Sequence, residues 1–131
     1  YVSLGQSSNT LSGGEAQRIK LASFIGKGDQ LDKTFFIFDE PTTGLHFHDV
    51  KKLLNTFNKL IRMGHSILVI EHNLDMISCA DHVIDLGPEG GDQGGSILFE
   101  GLTKDLIKLN NNQTGIFLKK YQESLALSTA S

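Results

Sequence analysis

The sequence of 131 residues is poor in cysteine, in basic charge and in long apolar segments. Its one cysteine, Cys79, excludes an internal disulfide or a zinc site made of several cysteines, and its apolar surroundings predict a reduced core residue. A net charge of −3 gives no overall basic surface, so any DNA contact is expected to be local or made elsewhere. Because no membrane span or signal peptide is visible and Tyr1 is not a methionine, we expect a fragment of a cytoplasmic protein.

An apolar run that ends at two carboxylates is the most informative stretch. The residues F-F-I-F at 35–38 predict a strand covered on both faces, which is typical of the parallel sheet of an α/β domain. Asp39 and Glu40 follow it directly, at the strand end where such sheets bind ligands. In phosphate chemistry the first acid can hold Mg²⁺ through water and the second can orient an attacking water. The alternative is a strand end whose charges only keep it soluble.

A second motif lies upstream, in the string L-S-G-G-E-A-Q-R at 11–18. Ser12 and Glu15 form a capping box, which predicts a helix that starts at Ser12 and ends near Gly26. Gly13 and Gly14 are poor helix formers, but they would let an anion approach the free N–H groups of the first turn. An ordinary flexible helix start is the alternative.

A helix and a second strand follow the acids. Apolar residues recur with helical spacing from Val50 to Ile61, and the run 67–70 predicts another fully buried strand, which together give a parallel βαβ unit. Since parallel neighbours end at the same sheet edge, His72 should approach Asp39 and Glu40. The other histidines are interpreted as surface or second-layer residues, with a reservation that His46 could lie at a dimer interface: His46, His48, His65 and His82.

The remainder predicts smaller elements. These are a short helix with Leu74, Ile77 and Ala80, a strand at 82–86, a glycine-rich turn at 87–95, a returning strand at 96–100, a helix from Thr103 to Leu109, one or two helical turns at 116–121 and a frayed tail at 124–131. The glycine-rich turn lacks the Lys-Ser/Thr pair of a phosphate-binding loop.

The two motifs together resemble the signature and Walker B sequences of ATP-binding-cassette (ABC) ATPases. The further strings D-E-P-T-T-G-L-H, E-H-N-L-D and D-L-G-P-E-G-G resemble one family among them, the UvrA family of excinuclease ATPases in bacterial nucleotide excision repair, from about Leu4 to Leu118. Leu102 and the N-N-N-Q stretch before Thr114 are mild departures from its pattern.

The resemblance implies an α/β fold, namely a P-loop NTPase-like ABC core with a parallel sheet, flanking helices and a C-terminal β-hairpin. The chain would be the C-terminal fragment of the second ABC module: lead-in and signature helix at 1–28, Walker B to switch histidine at 34–72, third strand, hairpin and helices at 73–123, and tail at 124–131. Because the Walker A strand would be absent, the sheet would have a gap, which we expect rearrangement or self-association to close.

Roles for individual residues also follow from the resemblance. Asp39 would bind Mg²⁺ through water, while Glu40 and His72 would be catalytic, as the water-orienting residue and the γ-phosphate contact. The nucleotide-binding set, some of it acting on ATP held by the opposing module, would be Ser12, Gly13, Gly14, Glu15, Gln17 and Asp39. Zinc sites of the family would lie outside this chain.

The implied partners are a second ABC module, a homodimer partner, the UvrB protein of the same excinuclease, and damaged DNA bound through other regions, with no membrane. The implied setting is the SOS response in the cytoplasm, and the fragment alone is expected to lack ATPase activity. The nucleotide-binding domain of an ABC transporter is an alternative that Glu15 and T-T-G-L-H disfavour. A chromosome-structural ABC ATPase would need flanking heptads, and a non-catalytic interaction module is the third alternative.

Overall fold

The computed structural model describes residues 13–26, 32–87 and 95–129 of the chain. The elements in order are α1 (Gly13–Ile25), β1 (Phe35–Asp39), α2 (Phe47–Arg62), β2 (Ser66–Ile70), α3 (Leu74–Ser78), β3 (His82–Gly87), β4 (Ser96–Leu102), α4 (Thr103–Leu106) and α5 (Gln113–Thr129). They divide into a first unit, Tyr1–Asn73, and a second unit, Leu74–Ser131. The mixed α/β class predicted from the sequence is confirmed. No helix in the described ranges has both the length and the apolar character that a membrane crossing needs.

The first unit contains the predicted parallel strand pair. β1 and β2 pair from Phe35↔Ser66 to Asp39↔Ile70, and α2 connects them. The apolar spacing of α2 has its expected effect, because one stripe of the helix is buried: Val50, Leu53, Phe57 and Leu60. Gly64 takes a φ of +91°, a conformation that favours glycine, and so ends the helix before β2.

The prediction that β1 and β2 are covered on both faces is wrong for the residues that the structure describes. Phe36 and Phe38 are 8% and 5% exposed, whereas Phe35 and Ile37 are each 61% exposed. In β2, Ile70 is likewise 54% exposed. Aromatic packing accounts for the covered face, since Phe36 meets Phe24 at 5.1 Å and Phe38 meets Phe57 at 4.8 Å between ring centroids. Apolar composition predicts a strand, but it does not say how many layers cover it.

His65 lies in this core, so its interpretation as a surface or second-layer residue is wrong. Its side chain is buried, its ring stands edge-on to Phe36 at 5.5 Å, and its Nδ1 accepts a hydrogen bond of 3.1 Å from the N–H of Thr34. A buried imidazole with a satisfied nitrogen packs much as an aromatic residue does. The histidine therefore ties the entrance of β1 to the start of β2.

The second unit contains the predicted hairpin. β3 and β4 pair in antiparallel fashion from His82↔Leu102 to Gly87↔Ser96, with a register shift between Asp85 and Leu86. The described ranges thus hold two separate two-stranded sheets. The helix expected from Thr103 to Leu109 ends earlier, at Leu106.

Two predictions for the second unit are wrong. The C-terminal segment is one helix, Gln113–Thr129, instead of a turn or two and a frayed tail from Ser124. No glycine or proline interrupts it after Gly115, and its leucines and alanine are good helix formers. Cys79 is exposed, not a core residue, because it follows the last residue of the short helix α3.

Gly115 is the glycine of α5 that packing explains. A Cβ built there would collide with the carbonyl oxygen of Leu106, so the helix can approach α4 this closely only at a residue without a side chain. The sequence predicted a break between two helical segments at residues 110–115, which include this glycine. Gly115 lies instead in the first turn of α5.

Candidate functional site

Two acids stand at the carboxyl end of β1, as the sequence predicted. The N–H of Glu40 donates to the carbonyl oxygen of Ile70 at 2.9 Å, so the strand pairing continues one residue past Asp39. Glu40 has a φ of +44°, which lies in the left-handed region that residues other than glycine rarely adopt. The chain then turns through residues 41–44, which with Asp39 and Glu40 we call the acidic turn. Both acids are exposed to solvent.

His72 reaches this turn from the neighbouring strand. Its Nδ1 lies 3.7 Å from Oε1 of Glu40, and the two side chains are 81% and 55% exposed. The predicted proximity of His72 to the acids is confirmed for Glu40. Because water screens such an exposed pair, the contact contributes little to stability. Both groups thus remain available to a ligand.

Helix α1 holds the end of β1 through Gln17. Its Nε2 donates to the carbonyl oxygen of Asp39 at 2.9 Å, and its Oε1 accepts from the N–H of Asp39 at 3.1 Å. A side-chain amide that pairs with both backbone groups of one residue imitates an extra strand residue. The carboxylate of Asp39 takes no part in this contact, and no hydrogen bond or ion pair joins it to another residue that the structure describes.

Arg18 holds the next part of the acidic turn. Its Nη1 donates to the carbonyl oxygens of Pro41 at 3.0 Å and Thr43 at 3.4 Å. Gly14 is buried beneath this contact, and a Cβ there would lie 3.0 Å from the same nitrogen. No atom of the residues that the structure describes lies within 4 Å of a Cβ built at Gly13. The second glycine is therefore explained by packing, whereas no described side chain or backbone group accounts for the first.

Glu71 completes the site, and sequence reasoning missed it. Its Oε1 accepts from the N–H of Thr42 at 2.8 Å, and its Oε2 accepts from the N–H groups of His72 at 3.1 Å and Asn73 at 3.3 Å. Its position directly after β2 was the available signal, since the same position pointed to His72.

The predicted nucleotide-binding residues also include Ser12 and Glu15, and the predicted metal ligand is Asp39. Ser12 lies outside the described residues, and Glu15 is in the first turn of α1. Within the described ranges no group of three or more His, Cys, Asp or Glu residues could hold a metal ion by itself. The carboxylate of Asp39 is a hard oxygen ligand of the kind that Mg²⁺ prefers, so it would fit a metal held jointly with phosphate oxygens and water.

The chain was compared with protein-family models, with curated proteins and with solved structures. No protein-family model matches the chain. It is 56% identical over 119 residues to UvrABC system protein A of Borreliella burgdorferi, which covers 91% of this chain and 12% of that protein. It is 53% identical over 121 residues to UvrABC system protein A of Rickettsia bellii, covering 92% of this chain and 13% of that protein.

A solved structure agrees. The crystal structure of UvrA2 from Deinococcus radiodurans matches with a TM-score of 0.80 and 42% identity, over 90% of this chain and 14% of that one. The chain therefore spans 12–13% of the length of the two curated relatives.

Proposed function

We propose, since the chain is homologous over about nine tenths of its length to a segment of UvrABC system protein A, that it forms the C-terminal part of an ABC-type ATP hydrolase in DNA repair. The observation that carries the proposal is the 3.7 Å approach of His72 to Glu40 at adjacent strand ends. Parallel strands bind ligands at this edge, and α1 is tied to the same turn.

The acidic turn would divide the chemistry between its two acids. The carboxylate of Asp39, left free by the contacts to its backbone, would hold Mg²⁺ through water, and the ion would neutralise charge on the phosphates. Glu40 would accept a hydrogen bond from the attacking water and orient it. His72, within reach of Glu40, would donate to a γ-phosphate oxygen. Phosphoryl transfer depends mostly on such positioning and charge stabilisation.

The first turn of α1 would serve a facing ATP site. Ser12, Gly13, Gly14 and Glu15 are the candidates, and the lack of any described atom within 4 Å of a Cβ built at Gly13 supports a close approach by a phosphate. Gln17 uses both polar atoms of its amide on the backbone of Asp39. We therefore propose that Gln17 acts by holding the strand end and does not touch the nucleotide.

The whole protein would act with partners that this chain does not contain. They are a second ABC module, a homodimer partner, the UvrB protein of the same excinuclease, and damaged DNA bound through other regions, in the cytoplasm. The isolated chain would lack ATPase activity, because its sequence has no G-x-x-x-x-G-K-[ST] phosphate loop.

The substitution Glu40→Gln in the intact protein tests the proposal. It removes the charge but keeps the shape, so ATP binding should persist while turnover falls by roughly 10²–10⁴-fold. Glu100→Gln is the matched control, because Glu100 is exposed on β4, far along the chain from the acidic turn. Turnover and nucleotide affinity are measured by phosphate release and calorimetry. Turnover in Glu40→Gln equal to that of the control would remove the assignment.

A further inference from the structure

We infer that Glu71 is a positioning residue, which fixes His72 relative to the acidic turn by bonding the two strand ends together through its carboxylate. The inference rests on the proposed function for its catalytic consequence. Its geometric part stands on the contacts of Glu71 alone.

The two oxygens of Glu71 serve two different segments. Oε1 accepts from Thr42, which lies two residues after Glu40, and Oε2 accepts from His72 and Asn73. Thr42 and Glu71 are 29 positions apart in the sequence. The carboxylate thus continues the connection between β1 and β2 beyond the last backbone bond, from Glu40 to Ile70.

The approach of His72 to Glu40 needs such a support. A 3.7 Å contact between side chains that are 81% and 55% exposed is too weak to hold either group in place. Hydrogen bonds from backbone N–H groups to a carboxylate are about twice as strong as neutral ones. Glu71 accepts a hydrogen bond from the backbone N–H of His72 itself. It therefore fixes the backbone position from which the imidazole side chain extends.

The chemistry of Glu71 makes the inference specific to a carboxylate. All its described partners are N–H donors, so both oxygens must be acceptors. In Glu71→Gln one oxygen becomes an NH₂ group, which cannot accept. The variant should therefore keep one side of the link and lose the other, whereas Glu71→Ala should lose both.

Amide hydrogen exchange in this 131-residue chain, followed by NMR, tests the geometric part. In Glu71→Ala the exchange of the Thr42, His72 and Asn73 amides should rise about tenfold or more, while the amides of α2 keep their rates. In Glu71→Gln the rise should affect either Thr42 or the His72 and Asn73 pair. Glu100→Gln is the control and should change none of them.

Two results would overturn the geometric part. One is unchanged exchange at all three amides in Glu71→Ala. The other is faster exchange throughout α2 as well, because the carboxylate would then support the whole fold and not the link between two strand ends.

Steady-state kinetics of the intact protein test the catalytic part. If Glu71 positions His72, Glu71→Gln should lower kcat by roughly 10–100-fold and leave the KM for ATP within about twofold, as a small misplacement does. An unchanged kcat, or a loss expressed only in KM, would overturn this part.

Turnover of Glu40→Gln and the measurements on the Glu71 variants together separate the inference from the proposed function. If Glu40→Gln retains full turnover while Glu71→Ala still accelerates exchange at the three amides, the proposed function fails and the link survives. If Glu40→Gln loses turnover and Glu71 substitutions change neither exchange nor kcat, the link fails and the proposed function survives.

Discussion

The two units use hydrogen-bonding side chains in different ways. In the first unit, long side chains bind the backbone of the acidic turn: Gln17 at Asp39, Arg18 at Pro41 and Thr43, and Glu71 at Thr42. In the second unit, the hydrogen bonds between sequence-distant described residues mainly join two side chains, although the hydroxyl of Thr103 also donates to the backbone carbonyl oxygen of Ala80. Asp85 accepts from Asn112 at 2.8 Å and Thr114 at 3.1 Å, and Tyr121 donates to Asp75 at 2.5 Å.

The difference teaches how a site can be held without occupying its functional groups. A contact to backbone atoms positions a residue and leaves its side chain free, as Gln17 leaves the carboxylate of Asp39 free. A contact between two side chains uses up both of them. The first arrangement suits a turn that performs chemistry, and the second suits a junction that only has to stay together.

Breaking the side-chain junction of the second unit should give the largest effect. Asp85→Ala removes two hydrogen bonds to a carboxylate and leaves the amide of the buried Asn112 without that partner. We expect a loss of roughly 2–4 kcal/mol in the free energy of unfolding, measured by denaturant titration. Asp105→Ala is the control, since its carboxylate is exposed and bound to Lys108 on the surface. Equal stability of the two variants would contradict the comparison.

Removing a backbone-directed contact should have a smaller effect. Gln17→Ala should lower the free energy of unfolding by about 1 kcal/mol, because its two bonds are exposed to solvent. Lys20→Ala, in the same helix, is the control.

The sharper half of this test changes the residue that is held. Asp39→Asn should keep the stability within about 0.5 kcal/mol, since Gln17 binds only backbone atoms of Asp39. A larger loss in Asp39→Asn than in Gln17→Ala would show that the side chain of the turn is itself structural.

The last test of the comparison concerns Tyr121, whose contribution to stability changes only at high pH. The hydrogen bond to Asp75, aided by burial, raises the pKa of Tyr121 to about 12. Because the folded-state pKa is raised, the stabilisation is complete below the ordinary tyrosine pKa of about 10 and is lost as the pH rises through about 12.

Phenolate absorbance measures this directly. The sequence has two tyrosines, so a Tyr1→Phe background leaves Tyr121 as the only signal. Adding Asp75→Ala should return its pKa towards about 10. An identical titration with and without Asp75 would disprove the contact.

Much of the fold was predictable because apolar spacing is a local property. The run 35–38 and the stripe from Val50 to Leu60 marked β1 and α2, and the rule that parallel strands end together brought His72 to Glu40. The exposure of Phe35 and of Cys79 was not predictable, since burial depends on which layers pack nearby. The helix after Ser124 was missed because we relied on a general tendency of chain ends to fray.

The hydrogen bonds that hold the acidic turn in place could not be predicted from the sequence either. Gln17 and Glu71 bind backbone groups 22 and 29 positions away, and a backbone group carries no residue-specific signal in the sequence. Catalytic candidates can be recognised in a sequence by residue type, whereas the residues that position them are identified only from the structure.

At Glu40, the left-handed backbone conformation lowers the stability of the fold, while the side chain is the proposed catalytic group. A side chain in this region costs about 1–2 kcal/mol relative to a relaxed conformation, and glycine would remove that cost. Glycine would also remove the carboxylate that faces His72. A search for more stable variants would therefore favour the loss of Glu40, so selection for thermal tolerance alone would tend to erase the site.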